Sequence, residues 1–240
     1  MHRILVLCYY FVAIVANDDF LLEKFPVDFG WGVCSSAYQT EGAWNEHGKG
    51  ESIWDRFTHS GHVLGGVTGD VAADSFNKYS EDITCIQHLG AKHFKLQLSW
   101  TRIQPSGDGP FNTEGIQHYH NVITAYQEAG ISLMVELYHW DLPQALQDLG
   151  GWLNPTIVDK FAAYADKCFK EYGLKVKQWI TFHDPYTFVY GGYGTKDMAP
   201  GIDGPAETVY KAASNVLLAH STAYNRYKNN YKTKQQGSPK

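Results

Sequence analysis

The segment WITFHDPY, residues 179–186, ends a short apolar run with an ionisable pair, His183 and Asp184, followed by a proline. Three other runs are equally short and apolar and are bounded by loop residues, which is the pattern of buried β-strands. The four predicted strands are residues 29–36, 93–100, 132–139 and 177–184. The question raised by the last of them is why an ionisable pair follows a buried strand.

Helical patterns separate the four predicted strands. Asp74 and Thr113 are predicted N-caps, and a third helix begins after Thr156. These helices are predicted to end at Leu89, Ala129 and Tyr172, each before a glycine, and a last helix covers residues 205–227. Successive strand–helix units imply a parallel sheet, either an α/β barrel or a doubly wound sheet. No linker or low-complexity segment divides the chain.

The positions of polar residues distinguish these two folds. Polar or aromatic residues collect at the late end of the strand patterns: Ser35, Ser36, Ser99, Trp100, His139, Trp140, Asp141, His183 and Asp184. In a (β/α)8 barrel every strand contributes its C-terminal end to the active site. A dinucleotide-binding sheet should instead have a Gly-rich turn after its first strand, and no G-x-G-x-x-G opens a helix here. The sequence therefore predicts a barrel.

Composition and charge limit the class of protein. The chain has 240 residues, 44% hydrophobic and 15% aromatic, which is enough for one packed domain. Its net charge is −5, without a basic run before the last dozen residues, which argues against nucleic acid as a partner. The 16 tyrosines and 7 tryptophans suit core packing, and such rings also stack on sugars.

The N-terminus has the pattern of a secretory signal, predicted as residues 1–16. A short basic start precedes an uncharged apolar run that is too short to span a bilayer. An uncleaved interfacial anchor and a buried N-terminal strand are the alternatives. The spacing of Cys34, Cys85 and Cys168 predicts neither a disulfide framework nor a zinc site. The sequence thus predicts a secreted or cell-surface protein without a cofactor or metal.

Five stretches resemble consecutive signatures of glycoside hydrolase family 1. They read FGWGVCSSAYQTEGAWNEHGKGESIWDRFTH, LYHWDLPQAL, GGW, WITFHDPY and NVLLAHSTAYNRYK. The family includes β-glucosidases, lactase-phlorizin hydrolase and the klotho proteins, and the chain looks most like the lactase-like branch. The resemblance implies a β-glycoside ligand and a retaining mechanism on a (β/α)8 barrel. In that mechanism one carboxyl protonates the leaving oxygen and a second, about 5–5.5 Å away, attacks the anomeric carbon.

The resemblance also assigns roles to individual residues. The family's acid/base Glu ends strand 4 in a Thr-Phe-Asn-Glu-Pro motif, which here reads TFHDP. Asp184 thus occupies the acid/base position, and His183 replaces the Asn that binds the sugar 2-hydroxyl. Gln39, His139 and Trp140 match the family's glycone-binding Gln and His and the neighbouring aromatic residue. Taken without the motif, His139 could equally be a satisfied core histidine.

Three positions depart from the family pattern and predict impaired hydrolysis. Asp184 is one methylene shorter than Glu, and a displacement of roughly 1 Å can cost about 100-fold in rate. His183 replaces a neutral amide with a larger ring that can carry charge. Lys95 stands where the family has an Arg that braces the nucleophile, and Lys cannot reproduce its bidentate fork.

The chain reaches Lys240 where the family's fifth strand would begin, so the nucleophile Glu has no counterpart. Residues 17–240 are then expected to be a family 1 domain truncated after its fourth β/α unit, the N-terminal half of the barrel. Four strands cannot close a barrel. A truncated gene model or splice form is the expected cause, and association of two half-barrels is the alternative.

Three functions stay open at this point. The first is a β-glycosidase seen as its N-terminal half, although this chain alone is expected to be inactive. The second is a catalytically impaired glycan- or partner-binding protein of the klotho or lactase-like kind. The third is a fragment without an independent function. The sequence indicates neither the oligomeric state nor the particular sugar.

Overall fold

The computed structural model describes residues 23–235, and the chain divides into two compact units, residues 1–30 and 31–240. In the first unit the rings of Phe25 and Phe29 contact each other, with centroids 4.6 Å apart. The predicted signal segment, residues 1–16, lies outside the described residues. The described strands and helices all belong to the second unit.

Four parallel strands form one sheet in the order β1-β2-β3-β4. They are β1 (Gly32–Cys34), β2 (His93–Gln97), β3 (Ser132–Glu136) and β4 (Gln178–Ile180). All four predicted strands exist, and each neighbour in the sheet is the next strand in the chain. The predicted bounds are too long, because the last residues of each pattern leave the ladder and form the loops of the site.

Among the described residues the structure has ten α-helices, of which the third, fifth, seventh and ninth were predicted. They are α1 (Ala37–Thr40), α2 (Ile53–His59), α3 (Ser75–His88), α4 (Trp100–Ile103), α5 (Thr113–Glu128), α6 (Gln144–Gln147), α7 (Ile157–Tyr172), α8 (Pro185–Tyr193), α9 (Ala206–Asn230) and α10 (Lys232–Gln235). Gly90 and Gly130, after α3 and α5, adopt the left-handed conformation expected of a helix stop, with φ of +70° and +75°. Gly173 ends α7 with an ordinary φ of −65°.

The predicted N-caps need correction. Thr113 is the first residue of α5, and Asn112 is its cap, because the Asn112 side chain accepts a hydrogen bond from the Glu114 N–H at 3.1 Å. Asp74 precedes α3, but its carboxylate accepts from the side chain of Asn77 rather than from a backbone N–H. Thr156 precedes α7 without a side-chain cap. Short-range hydrogen bonds of the side chains decide the first two positions, to a backbone N–H for Asn112 and to the Asn77 side chain for Asp74.

Aromatic packing fixes the ends of β2 and β3 against α7. Trp100 and Tyr164 are fully buried and stack with centroids 5.0 Å apart at 13°. The Tyr164 hydroxyl lies 3.1 Å from the carbonyl oxygen of Leu98 and 2.9 Å from that of Leu137. Those two residues immediately follow β2 and β3, so the segment that carries the polar residues begins from a rigid base.

Candidate active site

Glu136, the last residue of β3, lies at the centre of the candidate site. Its side chain is completely buried, and its carboxylate accepts hydrogen bonds from three side chains. The donors are Lys95 Nζ, which forms an ion pair with it, His139 Nδ1 at 3.1 Å and His183 Nδ1 at 3.0 Å. These four residues, Lys95, Glu136, His139 and His183, form the Glu136 cluster.

Strand register explains how the cluster forms. In β2 and β3, Lys95 pairs with Met134 and Gln97 with Glu136, so Lys95, Gln97 and Glu136 point to the same face of the sheet. Leu96 and Val135 point to the opposite face and are buried. Alternation of side chains along neighbouring strands therefore places a lysine and a glutamate from distant parts of the sequence side by side.

The loop after β4 brings the second histidine to the cluster. The Leu137 N–H donates to the Ile180 carbonyl oxygen at 2.8 Å, and the His183 N–H donates to the Tyr138 carbonyl oxygen at 3.0 Å. The two chain segments thus run side by side beyond the ends of β3 and β4. The imidazole rings of His139 and His183 stack, with centroids 3.8 Å apart at 13°.

The hydrogen bonds determine the charge of the cluster. Burial raises the pKa of Glu136, but donors on His139 and Lys95 outweigh it and hold the pKa below its usual value. Burial is also the main cause that lowers the pKa of His139, with His183 and Lys95 adding to it, although Glu136 opposes it. At neutral pH the cluster contains a Lys–Glu ion pair and a neutral His139.

The same bonds determine which ring nitrogen of each histidine carries the proton. An ionised carboxylate only accepts hydrogen bonds, so Nδ1 is the nitrogen that carries the proton in the neutral tautomer of each ring. Nε2 is then unprotonated and points away from Glu136. Because 39% of the His183 side chain and 16% of the His139 side chain are exposed, the cluster offers acceptors to a ligand.

Trp140 links the two loops beside the cluster. It adopts a left-handed backbone conformation with φ of 69°. Its indole Nε1 donates to the His183 carbonyl oxygen at 3.1 Å, and its ring stacks on Trp54 at 6.2 Å between centroids and 16°. The structure therefore brings His139, Trp140 and His183 together, as expected of residues that the sequence assigns to one pocket.

Gln39 lies on α1, just after β1, and is exposed. Its side-chain oxygen accepts a hydrogen bond from Ser36 Oγ at 2.6 Å. This local hydrogen bond, rather than one to the Glu136 cluster, orients the Gln39 side chain. The residue is at the C-terminal side of its strand, as predicted, but it is not in contact with the histidines through a described hydrogen bond.

Asp184 has a different environment from the cluster. It is exposed, has a φ of 39°, and is the N-cap of α8, with its Oδ1 accepting from the Thr187 N–H at 3.2 Å. This hydrogen bond is the main cause that lowers the pKa of Asp184. Pro185 at the first helical position suits the start of the helix. The carboxylate thus acts as a helix cap and is ionised at neutral pH.

Two buried carboxylates received no role from the sequence, and one of them, Glu136, was not noticed at all. Glu136 is the single charged residue in the apolar run of residues 132–138, a feature that marks it as unusual but does not indicate its partners. Asp141 is also buried; its Oδ1 accepts from Gln97 Nε2 at 2.8 Å, while its Oδ2 has no partner among the described residues. Burial raises the pKa of Asp141 to about 7.

Residues 21–238 match the family model described as glycosyl hydrolase family 1. The chain belongs to glycosyl hydrolase family 1. Lactase-like protein of Homo sapiens is 46% identical over 224 residues, covering 91% of this chain and 40% of that protein. Lactase/phlorizin hydrolase of Homo sapiens is 43% identical over 224 residues, covering 92% of this chain and 12% of that protein. The likeness to the lactase-like branch is thereby confirmed.

A solved structure extends the comparison to the fold of the family. Aphid myrosinase matches with a TM-score of 0.88 and 43% identity, over 90% of this chain and 47% of that chain. This family 1 chain thus spans about half of that structure and less than half of the two curated relatives. The predicted fold class, four β/α units of a (β/α)8 barrel, is confirmed. Among residues 23–235, no helix is long and apolar enough to cross a membrane.

Proposed function

We propose that this chain forms the sugar-binding half of a family 1 pocket for a β-linked glycoside, in which hydrolysis is slow or absent. The observation that carries the proposal is the position of Asp184. The residue at the acid/base position is exposed and accepts a backbone hydrogen bond that lowers its pKa. A general acid needs the opposite, a pKa raised towards the working pH.

The binding part of the proposal rests on the two histidines and Trp140. Nε2 of His139 and of His183 can accept hydrogen bonds from sugar hydroxyl groups, because Nδ1 of each ring donates to Glu136. The half-buried Trp140 supplies an aromatic surface of the kind that stacks on a sugar ring. Gln39 is the fourth proposed contact and would have to exchange its bond to Ser36 for one to the ligand.

The impaired chemistry is supported by two further features. Lys95 is committed to Glu136 by an ion pair, so it is not a free cation that braces another carboxylate. His183, at the position that the family pattern gives to a neutral amide, is held by Glu136 and stacked on His139. Replacement of the family's amide by His183 should slow hydrolysis, because hydrogen bonds around the sugar 2-hydroxyl strengthen in the transition state.

An active β-glycosidase whose second half supplies the nucleophile is the second candidate. It is favoured by the carboxylate that Asp184 retains and by the relative named lactase/phlorizin hydrolase. The signal-like residues 1–16 support a secreted or cell-surface location in either case. N-terminal sequencing of the secreted product tests that location, and a product that begins at Met1 contradicts it.

The binding proposal is tested with the 240-residue chain and p-nitrophenyl β-D-glucoside. We expect saturable quenching of tryptophan fluorescence without release of p-nitrophenolate above the blank. His139→Ala should abolish the quenching, whereas His88→Ala should not, because His88 is exposed at the end of α3 and close to the start of β2, away from the site. Turnover that Asp184→Asn abolishes contradicts the proposal.

The impaired chemistry is tested in a longer chain that includes the second half of the barrel. The combined reversion Lys95→Arg, His183→Asn, Asp184→Glu should raise kcat/KM by more than about 100-fold, the cost expected for the displaced acid alone. Each single reversion should achieve less, because groups that act on one transition state are not additive. A wild-type chain that already equals the triple variant supports the second candidate.

A further inference from the structure

We propose that Glu136, His139 and His183 form a binding site for a zinc-type divalent cation. One ligand atom from each residue, two imidazole nitrogens and a carboxylate oxygen, lies within 4.8 Å of the other two. The sequence predicted no metal ligands. This proposal does not require that the pocket bind a sugar, so the two proposals can fail separately.

The donor set fits zinc better than a hard cation. Zn²⁺ is bound by imidazole nitrogen and carboxylate oxygen in tetrahedral geometry, whereas Mg²⁺ and Ca²⁺ prefer oxygen ligands alone. Three protein ligands leave the fourth position to water or another ligand, as in zinc sites that are not purely structural. The partly exposed His183 side chain provides access from solvent.

The distances are already close to those of a metal site. Zinc lies about 2.0–2.2 Å from nitrogen and oxygen ligands, so the edge of a ligand tetrahedron is about 3.3 Å. The two nitrogen–oxygen edges in the structure use different oxygens of the carboxylate: Glu136 Oε2 is 3.1 Å from His139 Nδ1, and Glu136 Oε1 is 3.0 Å from His183 Nδ1. A bound ion requires only a small opening of these two edges and a tilt of the stacked rings.

Each imidazole changes its tautomer when the ion binds, and protons are conserved. The proton on Nδ1 leaves, Nδ1 coordinates the ion through its lone pair, and a proton from solvent binds Nε2 of the same ring. Nε2 then becomes a hydrogen-bond donor instead of an acceptor. A bound ion therefore reverses the hydrogen-bonding character that the two histidines present to the pocket.

The ammonium of Lys95 competes with a bound cation for the Glu136 carboxylate. Its ammonium contacts the Glu136 carboxylate and lies 3.4 Å from His183 Nδ1, so it already supplies the positive charge that the ion would bring. About 15% of its side chain is exposed, and its stem is flexible, so the ammonium can move to solvent when the ion binds. Lys95 should therefore weaken metal binding rather than support it.

The competition is tested by titrating the 240-residue chain with ZnCl2 by calorimetry and with CoCl2 by visible absorption, which reports tetrahedral coordination. Lys95→Met should tighten binding by about tenfold or more, and His183→Asn and Glu136→Gln should weaken it at least as much. The matched control is His59→Gln. It removes an imidazole that is 2.8 Å from the carboxylate of Asp70 outside the cluster, and it should leave the affinity unchanged.

Three results overturn the proposal. The first is that His183→Asn leaves the affinity for zinc unchanged, and the second is that Lys95→Met weakens zinc binding. The third is a cobalt spectrum without the strong visible bands of tetrahedral coordination. If Glu136→Gln fails to fold, Lys95→Met and His183→Asn still decide the question, because their expected effects have opposite signs. Zinc binding without sugar binding contradicts only the proposed function.

Discussion

The ends of β3 and β4 each carry a carboxylate, and their environments are opposite. Glu136, at the end of β3, is completely buried and accepts hydrogen bonds from Lys95, His139 and His183. Asp184, after β4, is exposed and accepts one bond from a backbone N–H. Of these two carboxylates the family resemblance assigns a role only to Asp184, yet Glu136 has more hydrogen bonds and an ion pair. A motif therefore identifies a position, whereas the contacts decide what the residue there can do.

Removing the charge of Glu136 should have the largest effect on stability. Glu136→Gln leaves the ammonium of Lys95 in a largely buried site without its counter-charge, which typically costs about 3–5 kcal/mol of unfolding free energy. Urea denaturation measures this cost. The matched control, Asp184→Asn, removes the other carboxylate and should cost less than about 1 kcal/mol, because Asn also caps helices.

The double variant Lys95→Met, Glu136→Leu separates the lost pair from a loss of packing. It should recover most of the stability that Glu136→Gln loses, because apolar residues often replace a buried ion pair at little cost. If Glu136→Gln and Asp184→Asn lose the same unfolding free energy, the two carboxylates do not differ in environment as proposed.

Much of the fold could be predicted from the sequence, because strand periodicity and glycine stops act over a few residues. Glu136 could not be found in this way. Its partner Lys95 is 41 residues away, and only the register of β2 and β3 brings the two side chains together. The cap role of Asp184 depends on a φ of 39° that the motif TFHDP does not indicate. His139, Trp140 and His183 lie together in the structure because their loops follow adjacent strands.

A third carboxylate separates the effect of burial from that of hydrogen-bond donors. Asp141 is buried like Glu136 but has one described donor, and burial raises its pKa to about 7. Between pH 4 and 7 the folded chain thus keeps a proton on Asp141 that the unfolded chain releases. The stability contributed by Asp141 is therefore fully present at low pH and is lost as the pH rises through 7.

Asp141→Asn should remove this dependence. Relative to the variant, the wild type should lose about 3 kcal/mol of unfolding free energy between pH 5 and pH 8, which corresponds to roughly two pKa units. Urea midpoints at several pH values measure the difference. The lowered pKa of His118, about 4, affects wild type and variant alike and cancels. If the difference in unfolding free energy between the wild type and Asp141→Asn stays constant from pH 5 to pH 8, the pKa of Asp141 is not raised.

The smallest effect is expected at Asp184, where the carboxylate acts as a cap. Asp184→Ala removes the acceptor of the Thr187 N–H and should cost about 1 kcal/mol, whereas Asp184→Asn should cost only a few tenths. Because this bond lowers the pKa of Asp184, the wild type should become less stable relative to the Asn variant as the pH falls below 4. Thermal or urea unfolding of the three chains at pH 7 and at pH 3 measures both effects. A cost for Asp184→Asn as large as that for Asp184→Ala means that the charge, and not the cap, is what the fold uses at this position, and the contrast between the ends of β3 and β4 is then smaller than proposed.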